Sequence, residues 1–244
     1  MKKHLLFGAV ALAAGSLVAA DSSPKDEVKS AAGKLAAKSN YSWRTTVQAA
    51  GGGGGGGGRF RPGPTEGKTE KDGFTFLSMT RGDNTTEAVL KGGKGALKTA
   101  DGWKSLTEAA EGGDGQPNPG RFLARMLQNY KVPAAQADDL ATKTKELKKS
   151  DDAYSGDLTE EGAKELLSFG PRPGGANGPT VANAKGSVKF WIKDGVLSKY
   201  EFKLQGSISF NGNDVDIDRT TAVEIKDVGS TKLDVPEEAK KKAS

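Results

Sequence analysis

Short glycine-bearing turns recur through two stretches of this sequence, and they constrain its fold more than any other feature. Asp72-Gly73, Arg81-Gly82-Asp83-Asn84, Gly92-Gly93-Lys94-Gly95 and Asp101-Gly102 punctuate residues 66–106 at short, regular intervals. Such turns supply the positive φ angles that tight hairpins demand. The segments between them (67–71, 74–80, 85–90 and the two that follow) therefore read as successive strands of an antiparallel meander. A second set lies downstream. Residues 187–193 and 196–205 flank Asp194-Gly195, and 207–210 and 214–225 flank Asn211-Gly212. Both dipeptides favour two-residue hairpin turns.

Helical periodicity fills the rest. Ser23-Pro24-Lys25-Asp26 offers a cap, a proline suited to the first helical position and an acid three residues on. Val28, Ala31, Ala32, Leu35 and Ala36 then repeat at helical spacing to about Lys38. Tyr41, Trp43, Thr45 and Val47 alternate with polar residues, which predicts a half-buried strand. Asn118-Pro119 opens a helix with Phe122, Leu123, Met126, Leu127 and Tyr130 on one face. Pro133 opens a shorter one to about Leu140, and Thr159 caps a third carrying Ala163, Leu166 and Leu167. Residues 142–158 read as two short strands broken at Asp151-Asp152. The tail from Pro236 is rich in Lys and Glu.

The downstream hairpin carries a conflict. A two-residue turn at Asp194-Gly195 pairs Ile192 with Leu197 and Trp191 with Ser198. Trp191, Tyr200, Phe202 and Leu204 then share one face, and Val188, Phe190, Ile192 and Leu197 the other. A sheet with a core on one side and a lined cavity on the other explains two apolar faces. So does a bulge that shifts the register.

The ends of the chain bear on compartment. Lys2, Lys3 and His4 precede an uncharged apolar run from Leu5 to Gly15, and Val18-Ala19-Ala20 supplies small residues before Asp21. This order predicts a cleavable export signal over 1–20. The run is shorter than the roughly 20 residues a membrane span requires. The expected product is a single domain, 21–244, in the periplasm or secreted, with no transmembrane segment after cleavage. Glycine-rich loops lie at 51–64, which include eight consecutive glycines, and at 170–179.

Residue types exclude much chemistry. The chain has no Cys, and its one His is His4. A mature domain without either residue can build no Ser-His-Asp triad, no Cys-His pair and no His- or Cys-ligated metal site. No catalytic residue, metal or cofactor is therefore expected. A carboxylate-dependent hydrolase is the enzymatic chemistry still open. Lys plus Arg number 36 against 31 Asp plus Glu, for a formal net charge of +5. These charges are interspersed, unlike the concentrated stripe that nucleic acid requires.

The short motifs have plain structural readings. The run from Gly63 to Thr69 is one residue short of a phosphate-binding loop and leads into a strand pattern. Asp214, Asp216 and Asp218 have calcium-loop spacing, but Arg219 stands where such a loop needs Gly and Ile225 where it needs Glu. Arg81-Gly82-Asp83 sits in a predicted turn. Asn40 and Asn84 head glycosylation sequons. Asp138-Asp139 and Glu160-Glu161 are placed at or near helix starts, where acids suit the helix dipole.

The element order is an N-terminal helix, antiparallel strands, a helical insertion and long closing hairpins. With Ser42-Trp43, Asp101-Gly102-Trp103, the run from Val188 to Gly195 and the closing segment from Thr221 to Pro236, it resembles the periplasmic lipoprotein-carrier superfamily of LolA, LolB and LppX-like proteins. The resemblance implies an α+β fold: a curved antiparallel sheet, or half-open β-barrel, with helices covering its mouth over an apolar cavity. It implies carriage of lipid or lipoprotein acyl chains as partners. No family residue is carried over. Candidate lining comes from Phe122, Leu123, Met126, Leu127, Trp191, Phe202 and Leu204. The alternative reading is a non-enzymatic envelope interaction or structural module with a filled core. Neither reading specifies an oligomeric state.

Overall fold

The computed structural model describes residues 22–49, 63–111, 119–168, 180–210 and 213–244. The export-signal reading at 1–20, nearly all of the glycine-rich loop at 51–64, the loop at 170–179 and the turn at Asn211-Gly212 lie outside the described residues.

The meander forms as the turns predict. β1 (Asn40–Ala49), β2 (Thr65–Glu70), β3 (Thr75–Arg81), β4 (Asn84–Lys91), β5 (Lys94–Thr99) and β6 (Gly102–Ser105) follow one another. Gly82 and Gly92 take φ of 58° and 60° at two of the turns, where a Cβ would be strained. β7 (Lys148–Ser150) and β8 (Ala153–Asp157) form a short hairpin, and β9 (Thr180–Lys193), β10 (Val196–Phe210) and β11 (Asn213–Lys226) are the long closing strands. All belong to one 11-stranded sheet in the order β6-β5-β4-β3-β2-β1-β11-β10-β9-β8-β7. Every pairing is antiparallel, and β6 and β7 are free edges, so the curved sheet stays open. The first and last long strands meet at its centre, where Trp43 faces Ile225 and Val47 faces Thr221.

Five helices cover one face. α1 (Pro24–Ala36) starts as its residues dictate, with the Ser23 hydroxyl accepting from the Asp26 N–H at 3.2 Å. α2 (Leu106–Glu111) is a short helix that periodicity did not reveal. α3 (Pro119–Gln128) and α4 (Pro133–Thr142) follow, and α5 (Glu160–Leu167) is capped by Thr159. Their apolar faces close the main core against Trp43, Leu77, Leu97, Phe190, Tyr200 and Leu204. Asp139 sits inside α4 rather than near its start, where it pairs with Lys131 and Lys143.

The opposite face carries a smaller core. The Lys- and Glu-rich tail forms α6 (Glu237–Lys242), and Ala239 and Ala243 pack with Val89, Ala96, Trp103 and Val235. Lys242 anchors this helix to Glu108 of α2 at 2.8 Å.

The conflict in the β9–β10 hairpin resolves as a bulge. Leu197 pairs with Ile192 as expected, but Trp191 pairs with Lys199, which leaves Ser198 as an extra residue. The Ser198 hydroxyl donates to the Trp191 carbonyl at 3.1 Å. The shift brings Val188, Phe190, Ile192, Leu197, Tyr200, Phe202 and Leu204 onto the helix-covered face. Trp191 goes to the other, between Lys189 and Lys199, whose ammonium groups lie 4.9 and 4.7 Å from its ring. The register read from the sequence, with Trp191 beside Tyr200, is corrected accordingly. One extra residue in a strand exchanges the two faces beyond it.

Candidate functional site

Among the described residues, the helix-covered face is filled at one end and grows progressively more exposed toward the other. On β11 the residues of this face are Val223, Thr221, Arg219, Ile217 and Val215, because the β10–β11 register runs without a break. Their exposure climbs from 1% at Val223 through 8% at Thr221 to 41% at Val215. The same trend runs along β10, from Tyr200, Phe202 and Leu204 in the core to half-buried Ile208. Val47 on β1, paired with Thr221, and Met79 on β3 are half-buried on the same side. From Thr221 to Val215 this apolar strip extends about 20 Å, at about 3.4 Å per strand residue.

At the filled end is a cluster of buried hydroxyls. The Tyr200 hydroxyl donates to Gln136 Oε1 at 2.6 Å. Burial pushes Tyr41 up to about 12, although a hydrogen bond with the backbone at Ala134 offsets part of the shift. Burial raises Tyr130 and Tyr200 as well. The Tyr130 hydroxyl faces the Trp43 indole, whose buried Nε1 makes no hydrogen bond of good geometry. All three phenols are neutral at physiological pH. Trp43 lies flat over β2, where a Cβ on Gly67 would stand 2.1 Å from its ring.

Arg219 is the one charged residue among these inner-face positions of β10 and β11. It sits between Ala49 of β1 and Leu204 of β10, and burial lowers its pKa. A guanidinium keeps its charge through such a shift. The exposed end of the face thus combines aliphatic surface with a basic group at its border.

The candidate residues named from the sequence divide. Phe202 and Leu204 lie in the core at the foot of the strip, at 8% and 1% exposure. Leu127 is buried in the same core, and Leu123 packs half-buried against it from α3. Phe122 and Met126 point outward from α3, at 60% and 43% exposure. Trp191 is on the opposite face. Sequence reasoning missed Val47, Met79, Ile208, Ile217 and Arg219. Alternation past Gly206 marks most of them as one face, but it carries no sign that helices stop short of it.

Two grooves of a different character lie against β8, β9 and β10. The larger, about 630 Å³, is lined by Lys145, Lys148, Lys189, Lys203, Glu201 and Asp157 among others. It opens mainly on the side of the sheet opposite the strip, and its charged walls suit no acyl chain. The three aspartates with calcium-loop spacing lie on β11. There Asp218 accepts from Gln205 at 2.6 Å, and Asp216 and Asp214 accept from Ser207 and Ser209 at 2.5 Å. They form a cross-strand hydrogen-bond ladder. Among the described residues no group of three or more acidic or other ligating side chains converges on a point.

No protein-family model matches the chain, and no curated protein matches it. Among solved structures it is similar to the lipoprotein LppX of Mycobacterium tuberculosis, at 11% identity over 87% of this chain and 98% of that one, with a TM-score of 0.48. It is also similar to LprF from Mycobacterium bovis, at 9% identity over 88% and 97% of the two chains, with a TM-score of 0.44.

Proposed function

We propose that the protein is a non-enzymatic binder that shelters the acyl part of an anionic amphiphile on the exposed end of its helix-covered sheet face. The observation that carries this reading is the rise in exposure along one face of β11, from buried Val223 to Val215. A β-sheet face that stays apolar after its helices end is a surface waiting for an apolar occupant. Ile208, Ile217, Met79 and Val47 form the strip, and Phe202, Leu204, Leu123 and Leu127 form the packed base at its inner end, beside Arg219, from which the acyl chain runs outward. Arg219 meets the anionic head. Each methylene removed from water contributes about 0.8 kcal/mol, so a long chain supplies the affinity and the head sets its orientation. The export signal read at 1–20 supports binding outside the cytoplasm.

The test is organic extraction of the purified protein followed by mass spectrometry, with titration of a fluorescent fatty acid. Lipid should co-purify and the fatty acid should bind. Ile208→Asp with Ile217→Asp should abolish binding, and Arg219→Gln should weaken the fatty acid at least tenfold while sparing the corresponding fatty alcohol. Absence of both co-purifying lipid and fatty-acid binding would overturn the proposal and favour an envelope interaction module.

A further inference from the structure

The outward side of α3 (Pro119–Gln128) has a composition that the acyl site does not use. Its inward side buries Ala124 and Leu127, at 0% and 2% exposure, and half-buries Leu123. On the far side Arg121 and Arg125 form one row, and Phe122 and Met126 form the next, each pair four residues apart on adjacent turns. Phe122 is 60% exposed and Met126 43%, and they are two of only four large apolar side chains exposed among the described residues. The helix contains no acidic residue, and no ion pair joins either arginine to another described residue.

We propose that this face docks the protein on the surface of an anionic lipid bilayer. A row of apolar side chains beside a row of arginines is the pattern of a helix lying in the membrane interface. The apolar row enters the boundary between headgroups and acyl chains, and the guanidinium groups reach lipid phosphates. The choice of a bilayer rests on charge complementarity: the arginines attract anionic headgroups, and no carboxylate on α3 repels them. The excess of Lys and Arg over Asp and Glu in the whole chain acts in the same direction. The docking does not depend on the acyl site.

Vesicle flotation tests it, with vesicles of phosphatidylcholine alone and of phosphatidylcholine mixed with phosphatidylglycerol. The full chain should float with the anionic vesicles, not with the neutral ones, and added salt should release it. Arg121→Gln with Arg125→Gln should weaken binding by about fivefold per arginine removed. Phe122→Ser with Met126→Ser should weaken it by tenfold or more. The arginine variant should bind fluorescent fatty acid in solution as the wild type does, which separates loss of docking from loss of the acyl site. Two results would overturn the proposal: wild-type protein that floats with neither vesicle or equally with both, and variants with wild-type circular dichroism that bind as the wild type does.

Discussion

Substituting Gly67 by Ala perturbs the sheet where β2 passes under the Trp43 ring. The new Cβ would lie 2.1, 2.2 and 2.7 Å from three carbons of the Trp43 ring, far inside contact distance. The ring has no free volume to retreat into: Trp43 is 2% exposed, with the Tyr41 ring centroid 5.7 Å away. Overpacking of this kind costs about 1–3 kcal/mol. Replacing glycine in a strand returns about 0.5–1 kcal/mol through the lower entropy of the unfolded chain. The net expectation is a loss of about 1–2 kcal/mol, read in urea unfolding as a lower midpoint at unchanged slope. In a chain of this length each kcal/mol corresponds to about 2–4 °C in Tm. The decisive experiment repeats the substitution on a Trp43→Ala background. Trp43→Ala alone should cost about 3–5 kcal/mol. With the ring gone, Gly67→Ala should become neutral or slightly stabilising. An equal cost on both backgrounds, or no cost on the wild type, would refute the contact as the cause.

Two further outcomes follow from buried and surface hydrogen bonds. Tyr200→Phe leaves Gln136 Oε1 without its buried donor and should cost about 1–3 kcal/mol, whereas Tyr200→Phe combined with Gln136→Leu should recover much of that loss in chemical unfolding. Hydrogen bonds from Lys242 and from Ser105 hold the Glu108 carboxyl at about 2, below its ordinary 4.5. Because the folded value is the lower one, the stabilisation is complete above about pH 4.5 and disappears as pH falls through about 2. The stability difference between wild type and Glu108→Gln should therefore be constant near neutrality and close over that acid window. Amide hydrogen exchange in α6 should report the same change locally.

Much of the scaffold was legible because its determinants are local. Asp72-Gly73, Gly82, Gly92 and Asp194-Gly195 specify chain reversals through backbone φ. Ser23 and Thr159 specify helix starts by satisfying N–H groups within three residues, and Tyr41 to Val47 announce a strand by alternation. The candidate site was legible only in part. Phe202, Leu204 and Leu127 are buried and Leu123 half-buried, as large apolar residues at periodic positions are in most folds. Phe122 and Met126 have the same periodicity as Leu123 and Leu127, yet they face away from the core. A helix with apolar residues around much of its circumference does not say which arc meets the sheet.

The amino-acid order by itself determined that this chain is an antiparallel sheet protein with inserted helices and, beyond residue 4, without histidine or cysteine chemistry. Tertiary structure alone decided which side of the sheet each residue occupies. Ser198 looks like any other strand residue, and only its pairing partners reveal it as the extra one that sends Trp191 away from Tyr200. The tail shows the same dependence. Its Lys and Glu residues read as solvated, while Ala239 and Ala243 become fully buried because Trp103 and Ala96 present a second apolar patch on the reverse of the meander. Strand register, helix rotation and tail docking are set by contacts between segments distant in the chain, and such contacts have no local signature in the sequence.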